Sequence, residues 1–200
     1  MTYNEKYNST LYYIAPFYAT IFPGLKRLVT VDTDIEFNVD INFLFAEFDK
    51  FDSDQLIGVA NDLSPHYYQM LTGYRSNHPD TKLGTPGPLQ GFNVGVLLLN
   101  LERMRQSKLY NHHLTAAGVT KLAVKYGLTG THLGEQDWLT LVAWDSPQLV
   151  YPLNCLFNRQ KGKDFLQEPW TEIFYMFHNC EGDSDGKGAF LVHGNSDSNV

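Results

Sequence analysis

Leu25-Lys26-Arg27-Leu28-Val29-Thr30-Val31-Asp32-Thr33-Asp34 is the stretch that decides the fold. Pro23-Gly24 punctuates the chain just before it. The short apolar run, rich in β-branched residues, predicts a buried strand over residues 25–31 that ends directly on Asp32. Ahead of it, residues 9–22 are amphipathic around Pro16, which predicts a kinked helix or two short ones. Beyond it, residues 40–50 predict a helix capped by Asp40, and residues 56–60 a second strand. Residues 73–90 are dense in Gly, Pro, Asn and Asp and predict a long loop, whose length points to function more than to connection. A third strand is expected over 91–100, then helices over 101–109, 112–126 and 136–143. Strands alternating with helices predict an α/β fold with a mixed, largely parallel sheet flanked by helices. All 200 residues read as a single domain, enough chain for one core and too little for two.

Composition narrows the function classes. The chain carries 15 basic and 22 acidic residues, a net charge of −7, and no stripe of Lys and Arg, which argues against a nucleic-acid partner. Hydrophobic residues at 43% and charged residues at 18% are a globular balance. No 18-residue apolar run is present and no basic-then-apolar leader opens the sequence, so the chain taken alone reads as soluble. Its first eight residues predict entry into a helix, and its turn-rich end reads as a break within a longer protein. Asn8-Ser9-Thr10 is an N-glycosylation acceptor pattern, weak because common. Cys155 and Cys180 are too few for a zinc site and read equally as one disulfide or two buried thiols.

Four segments carry chemistry. Val31-Asp32-Thr33-Asp34 places two carboxylates at the C-terminal end of a strand, where ligands of open α/β sheets bind. Hard oxygen donors there suit Mn²⁺ or Mg²⁺ bridging protein and phosphate, although Asp-x-Asp alone is more often a solvated turn. His193-Gly194 follows the apolar run 190–192, and His193 is a candidate third ligand. The adjacent pair His112-His113 cannot face one ion from a helix and is set aside. Asn93, between Gly91 and Gly95 in the third strand, suits recognition of a hydroxyl by a buried amide where a ligand approaches the backbone closely. Gly134-Glu135-Gln136-Asp137 opens a helix; its dipole accounts for Glu135 and Asp137 but leaves Gln136 unexplained.

The order of these segments, Asp-x-Asp, Phe92-Asn93-Val94-Gly95-Val96-Leu97-Leu98-Leu99-Asn100-Leu101, Gln136-Asp137-Trp138-Leu139 and His193-Gly194, resembles glycosyltransferase family 8 over residues 9–199. The resemblance implies a GT-A-like fold, of which the N-terminal uridine-binding half is missing here, and retention of anomeric configuration. Its tail segments, 155–160, 179–182 and 193–195, are most similar to the family's xylosyltransferases. It therefore implies a UDP-xylose donor and, as acceptor, a xylosyl-glucose O-glycan on epidermal-growth-factor-like (EGF-like) repeats. Mn²⁺, or Mg²⁺ in its place, would be held by Asp32, Asp34 and His193. Asn93 and Gln136 would be the catalytic contacts to the donor sugar. Thr33, Asp62, Asn158, Arg159 and Gly194 would join Asp32 and Asp34 in binding substrate. The whole protein would be a type II membrane protein of the endoplasmic reticulum or Golgi lumen, with its anchor outside this chain and a homodimer allowed for. Cys155 and Cys180 then favour a disulfide. The departures are Phe157 where the xylosyltransferases tend to have Trp, Glu135 where many members have Asp, and Asn195-Ser196-Asp197 where Lys-Pro-Trp is usual. Another UDP-sugar donor (glucose, galactose or glucuronate) and a non-catalytic glycan-binding piece are the alternatives.

Overall fold

The computed structural model describes residues 10–128, 133–161, 171–180 and 188–194. The expected helical start, Asn8 and Ser9 of the glycosylation pattern, Glu181-Gly182 and residues 195–200 lie outside that range. The described strands are β1 (Leu28–Val31), β2 (Ile35–Phe37), β3 (Ile57–Asn61), β4 (Phe92–Leu99), β5 (Val150–Pro152), β6 (Arg159–Gln160) and β7 (Leu191–His193). The helices are α1 (Tyr18–Ile21), α2 (Asn42–Ala46), α3 (His66–Met70), α4 (Thr72–Asn77), α5 (Leu101–Gln106), α6 (Lys108–His113), α7 (Ala116–Tyr126), α8 (Glu135–Asp145) and α9 (Thr171–Phe177).

One sheet has the order β1-β4-β3-β5. β4 runs antiparallel to both β1 and β3, while β3 pairs in parallel with β5. Three of the four strands therefore point the same way and β4 alone is reversed, the mixed, largely parallel sheet expected of an α/β chain. β4 is central and buried almost throughout, as its continuous apolar run requires. A second, smaller sheet has the order β2-β7-β6, antiparallel then parallel. One core cluster joins the large sheet to the helices through Ile57, Val59, Leu97, Leu99, Leu139 and Val142. The other, with Leu44, Phe48, Phe51, Val96, Leu98 and Leu191, fills the space around the small sheet.

Several local expectations are corrected. The first strand begins at Leu28 and is half-buried rather than buried, because it lies at the edge of the sheet among the described residues. Residues 73–77 of the expected loop belong to the helix α4, so the loop starts near His78. Ser107 and Thr115 each accept a backbone N–H three residues on, from Tyr110 and Gly118. These caps start α6 and α7 and divide what reads as longer helices. Asp40 accepts the N–H of Asn42 at 2.8 Å from one residue ahead of the cap position, Ile41, and the α-helical part is only Asn42–Ala46 before a tighter 3₁₀ turn. The amphipathic start folds as two 3₁₀ turns, Thr10–Tyr13 and Ala15–Phe17, and the short α1. Cys155 and Cys180 are joined in a disulfide.

Candidate active site

Asp32, Thr33 and Asp34 form the turn by which the chain leaves β1 of the large sheet and enters β2 of the small one. Two backbone hydrogen bonds fix this crossing. The N–H of Asp32 donates to the carbonyl of Gly95 at 2.8 Å, and the N–H of Gly194 donates to the carbonyl of Asp34 at 2.9 Å. β7 pairs Ile35 with His193, which brings the histidine beside the turn. Its Nε2 lies 3.4 Å from Asp32 Oδ2 and 3.4 Å from Asp34 Oδ1. The three side chains offer one donor atom each within 4.8 Å of one another. Two hard carboxylates and one imidazole at this spacing are a donor set for a divalent metal. The carboxylates stand in solvent, with side chains 56% and 41% exposed, while the histidine is 3% exposed.

Gly95 makes room for that histidine. A Cβ there would lie 2.2 Å from His193 Cε1 and 2.6 Å from Nδ1, far inside any real contact. Gly91 is also explained by close packing, with φ +111° and the Tyr67 ring where a side chain would go. The two glycines each make room for a neighbouring ring.

β4 bulges at this place. The register with β3 steps from Val59–Leu97 to Ala60–Asn93, which leaves Val94, Gly95 and Val96 without partners on β3. Two side-chain amides take up the released donors. Asn93 Oδ1 accepts the N–H of Gly95 at 3.0 Å, and Gln136 Oε1 accepts the N–H of Val94 at 3.2 Å. Gln136 Nε2 reaches Asp62 Oδ2 at 3.4 Å. Asp62 is wholly buried, and desolvation drives its pKa up to about 6, partly opposed by its hydrogen bonds from Ser64 and by the nearby His193. Asn93, Gln136, Asp62 and the metal-type group are thus gathered along one bulge.

Asn158 and Arg159 part company. Asn158 is fully buried, its Oδ1 2.9 Å from His193 Nδ1 and its Nδ2 donating to Asn93. In β6, Gln160 pairs with His193 and Arg159 with Val192, so strand alternation turns Arg159 to the opposite face. There it donates to His178 Nε2 and lines an open cleft of about 550 Å³ with Glu36, Asn38 and Lys161. Thr33 is exposed on the turn, and Gly194 is buried behind it. The sequence suggests no site role for Gln160 or Glu135, and a different one for Gly95. Gln160 clamps the Asp62 segment, accepting the N–H of Leu63 at 2.9 Å and donating to the carbonyl of Asn61 at 3.0 Å. Gly95 seats the histidine, and Glu135 accepts the N–H of Ala15 at 2.9 Å. Burial lifts the Glu135 pKa to about 7. The signals in the sequence are the helix-opening position of Glu135 and the glycine inside a strand at position 95.

The family model described as glycosyl transferase family 8 matches residues 2–172. This chain belongs to glycosyltransferase family 8. Within that family it is 35% identical to xyloside xylosyltransferase 1 of Mus musculus over 197 residues, which is 97% of the chain and 49% of the relative. The crystal structure of that mouse protein without ligand superposes with a TM-score of 0.89 at 35% identity, covering 96% of this chain and 65% of the other. The chain thus spans about half the length of the xyloside xylosyltransferases that it matches. It is also 35% identical over 138 residues, 69% of its length, to the xylosyl- and glucuronyltransferase LARGE2 of Mus musculus, covering 18% of that relative. The galactosyltransferase LgtC, at 18% identity and a TM-score of 0.57, shares the fold over 96% of this chain and 60% of its own. The GT-A-like architecture and the family expected from the ordered motifs are both borne out. Among the described residues, no helix is long and apolar enough to cross a membrane.

Proposed function

We propose that the protein transfers xylose from UDP-xylose, with retention, to a xylosyl-glucose O-glycan on an EGF-like repeat. Mn²⁺ is the ion assigned to Asp32, Asp34 and His193. The observation that carries the reading is the convergence of those three side chains, from the β1–β2 turn and from β7, on one point beside the β4 bulge. The donor and acceptor rest on the 35% identity to xyloside xylosyltransferase 1. The Cys155–Cys180 disulfide supports residence in the oxidising lumen of the endoplasmic reticulum or Golgi. A type II membrane anchor outside this chain and a homodimer belong to the same reading.

In the reaction, the bond from the xylose anomeric carbon to the diphosphate breaks, and a bond to the acceptor oxygen forms on the same face. The acceptor hydroxyl proton ends on the departing diphosphate. A bound divalent ion supplies Lewis-acid stabilisation of the negative charge that develops on that leaving group. The chain's own residues set the geometry around it. Gln136 is poorly suited to attack the sugar, because an amide is a weak nucleophile and its oxygen already accepts the N–H of Val94. This favours front-face attack over a covalent intermediate. Asn93 has its oxygen committed to Gly95 and Asn158, which leaves its Nδ2 to donate to a sugar hydroxyl. Asp62, held against Gln136, offers a second polar group beside the same bulge.

The test is transfer by the protein from UDP-xylose to a xylosyl-glucose acceptor, with and without Mn²⁺, for the wild type and the Asp32→Ala, Asp34→Ala double variant. Transfer that needs Mn²⁺ and is lost in the variant is expected; equal turnover by the two proteins sinks the assignment. The likeness to LARGE2 favours UDP-glucuronate as the first alternative donor to screen, followed by UDP-glucose and UDP-galactose. Binding of a xyloside without any binding of UDP and Mn²⁺ would instead mark a non-catalytic glycan-binding protein.

A further inference from the structure

We infer that Asn158 is a positioning residue: with Asn93 it forms an orientation relay, started by the backbone N–H of Gly95, that fixes the proton of His193 on Nδ1 and points Nε2 at Asp32 and Asp34. This rests on the metal reading above and concerns how that site is held ready. The logic is one of donors and acceptors. A backbone N–H can only donate, so the Asn93 atom 3.0 Å from Gly95 N must be its oxygen. The Asn158 atom 2.9 Å from that oxygen must then be a donor, its Nδ2, which also reaches the Asn93 carbonyl at 3.2 Å. The other end of the Asn158 amide is therefore an oxygen, and it sits 2.9 Å from His193 Nδ1, which has to carry a proton. Nε2 is then the ring atom left to offer its lone pair to a metal, and it lies 3.4 Å from each carboxylate.

Burial makes the relay binding on the ring. Asn158 is 0% exposed, Asn93 4% and His193 2%, so water cannot substitute for a wrongly turned amide. The backbone of Gly95 thereby helps hold two ligands at once, Asp32 directly through its carbonyl and His193 through its N–H by way of Asn93 and Asn158. Gly95 also lacks the Cβ that would strike the ring. Histidines that bind metals ordinarily have their second nitrogen held in this way, and loss of the holder costs about 10–100-fold in metal affinity.

The experiment uses the metal-free chain labelled with ¹⁵N-histidine, with the His193 ring signals assigned by their loss in His193→Gln. Spectra are followed into alkaline pH until the ring shifts stop changing. The wild type is expected to show a protonated Nδ1 and a bare Nε2. Asn158→Leu, which removes both ends of the link, is expected to release the ring to the other tautomer or a mixture and to weaken Mn²⁺ binding about 10–100-fold. Asn158→Asp keeps an acceptor for Nδ1 and is expected to keep the tautomer and recover part of the affinity, which a purely structural role for residue 158 would not produce. A wild-type ring protonated on Nε2 overturns the proposal, as does Asn158→Leu with unchanged shifts and affinity. Should Asn158→Leu fail to fold, the wild-type ring and Asn158→Asp decide. A wild type with the expected tautomer that binds no Mn²⁺ overturns the metal reading and leaves the relay standing.

Discussion

The two sides of the candidate metal site are built in opposite ways. Asp32 and Asp34 stand on an exposed turn and are held chiefly through their backbones, whereas His193 is buried and fixed through a chain of side-chain amides. A solvated carboxylate can adjust to a ligand. A buried imidazole needs its proton placed, its ring seated and its desolvation offset by hydrogen bonds. Removing a carboxylate should therefore cost function alone, and disturbing the histidine's surroundings should cost both function and stability.

The largest effect expected from this contrast is in the Asp32→Ala, Asp34→Ala double variant. Loss of the ligands for the leaving-group metal should reduce transfer by about 10³-fold or more, since such stabilisation is worth several kcal/mol. Its stability should stay within about 0.5 kcal/mol of wild type in denaturant unfolding, as for other surface changes. A marked loss of stability would show that the turn is structural and break the comparison. Gly95→Ala comes next. Its methyl group meets the His193 ring, so a loss of about 1–3 kcal/mol is expected together with weakened Mn²⁺ binding.

The smallest effect concerns Asp62 and is read as a pH dependence. Its pKa rises on folding from 3.8 to about 6, so the native state holds a proton that the unfolded chain has released between those values. Asp62's contribution to stability is thus most favourable below pH 4 and is lost as pH rises through about 6. Asp62→Asn, which never ionises, should gain stability over wild type at pH 8 and little or nothing at pH 4 in thermal unfolding. A gain of the same size at both pH values would show that burial of this carboxylate is not what sets its pKa.

The exposed side of the site was legible in the sequence and the buried side largely was not. Asp-x-Asp after a β-branched run is a local pattern, and its position at a strand end follows from the same few residues. His193 became readable once the order of four motifs was recognised. What Asn158 does was not readable, because it depends on β6 lying beside β7 and on a bulge that turns Asn93 toward both, contacts made across 35 and 65 residues of chain. The central strand β4 was plain from its unbroken apolar run, while β2, β5 and β6, two or three residues each, carry too few side chains to show a period. The half-buried state of β1 was misread because an apolar run records the character of a strand and not its rank in the sheet. Gly91, just before β4, and Gly95, within it, stand out in the sequence, but only the Tyr67 and His193 rings standing over them give the reason.

The central claim is that Asp32, Asp34 and His193 hold one divalent ion. Titration of the chain with Mn²⁺, followed by loss of the free-ion electron paramagnetic resonance signal, tests it most directly. One ion should bind per chain in the wild type and none at comparable affinity in either Asp32→Ala, Asp34→Ala or His193→Gln. Unchanged stoichiometry and affinity in those variants would contradict the account.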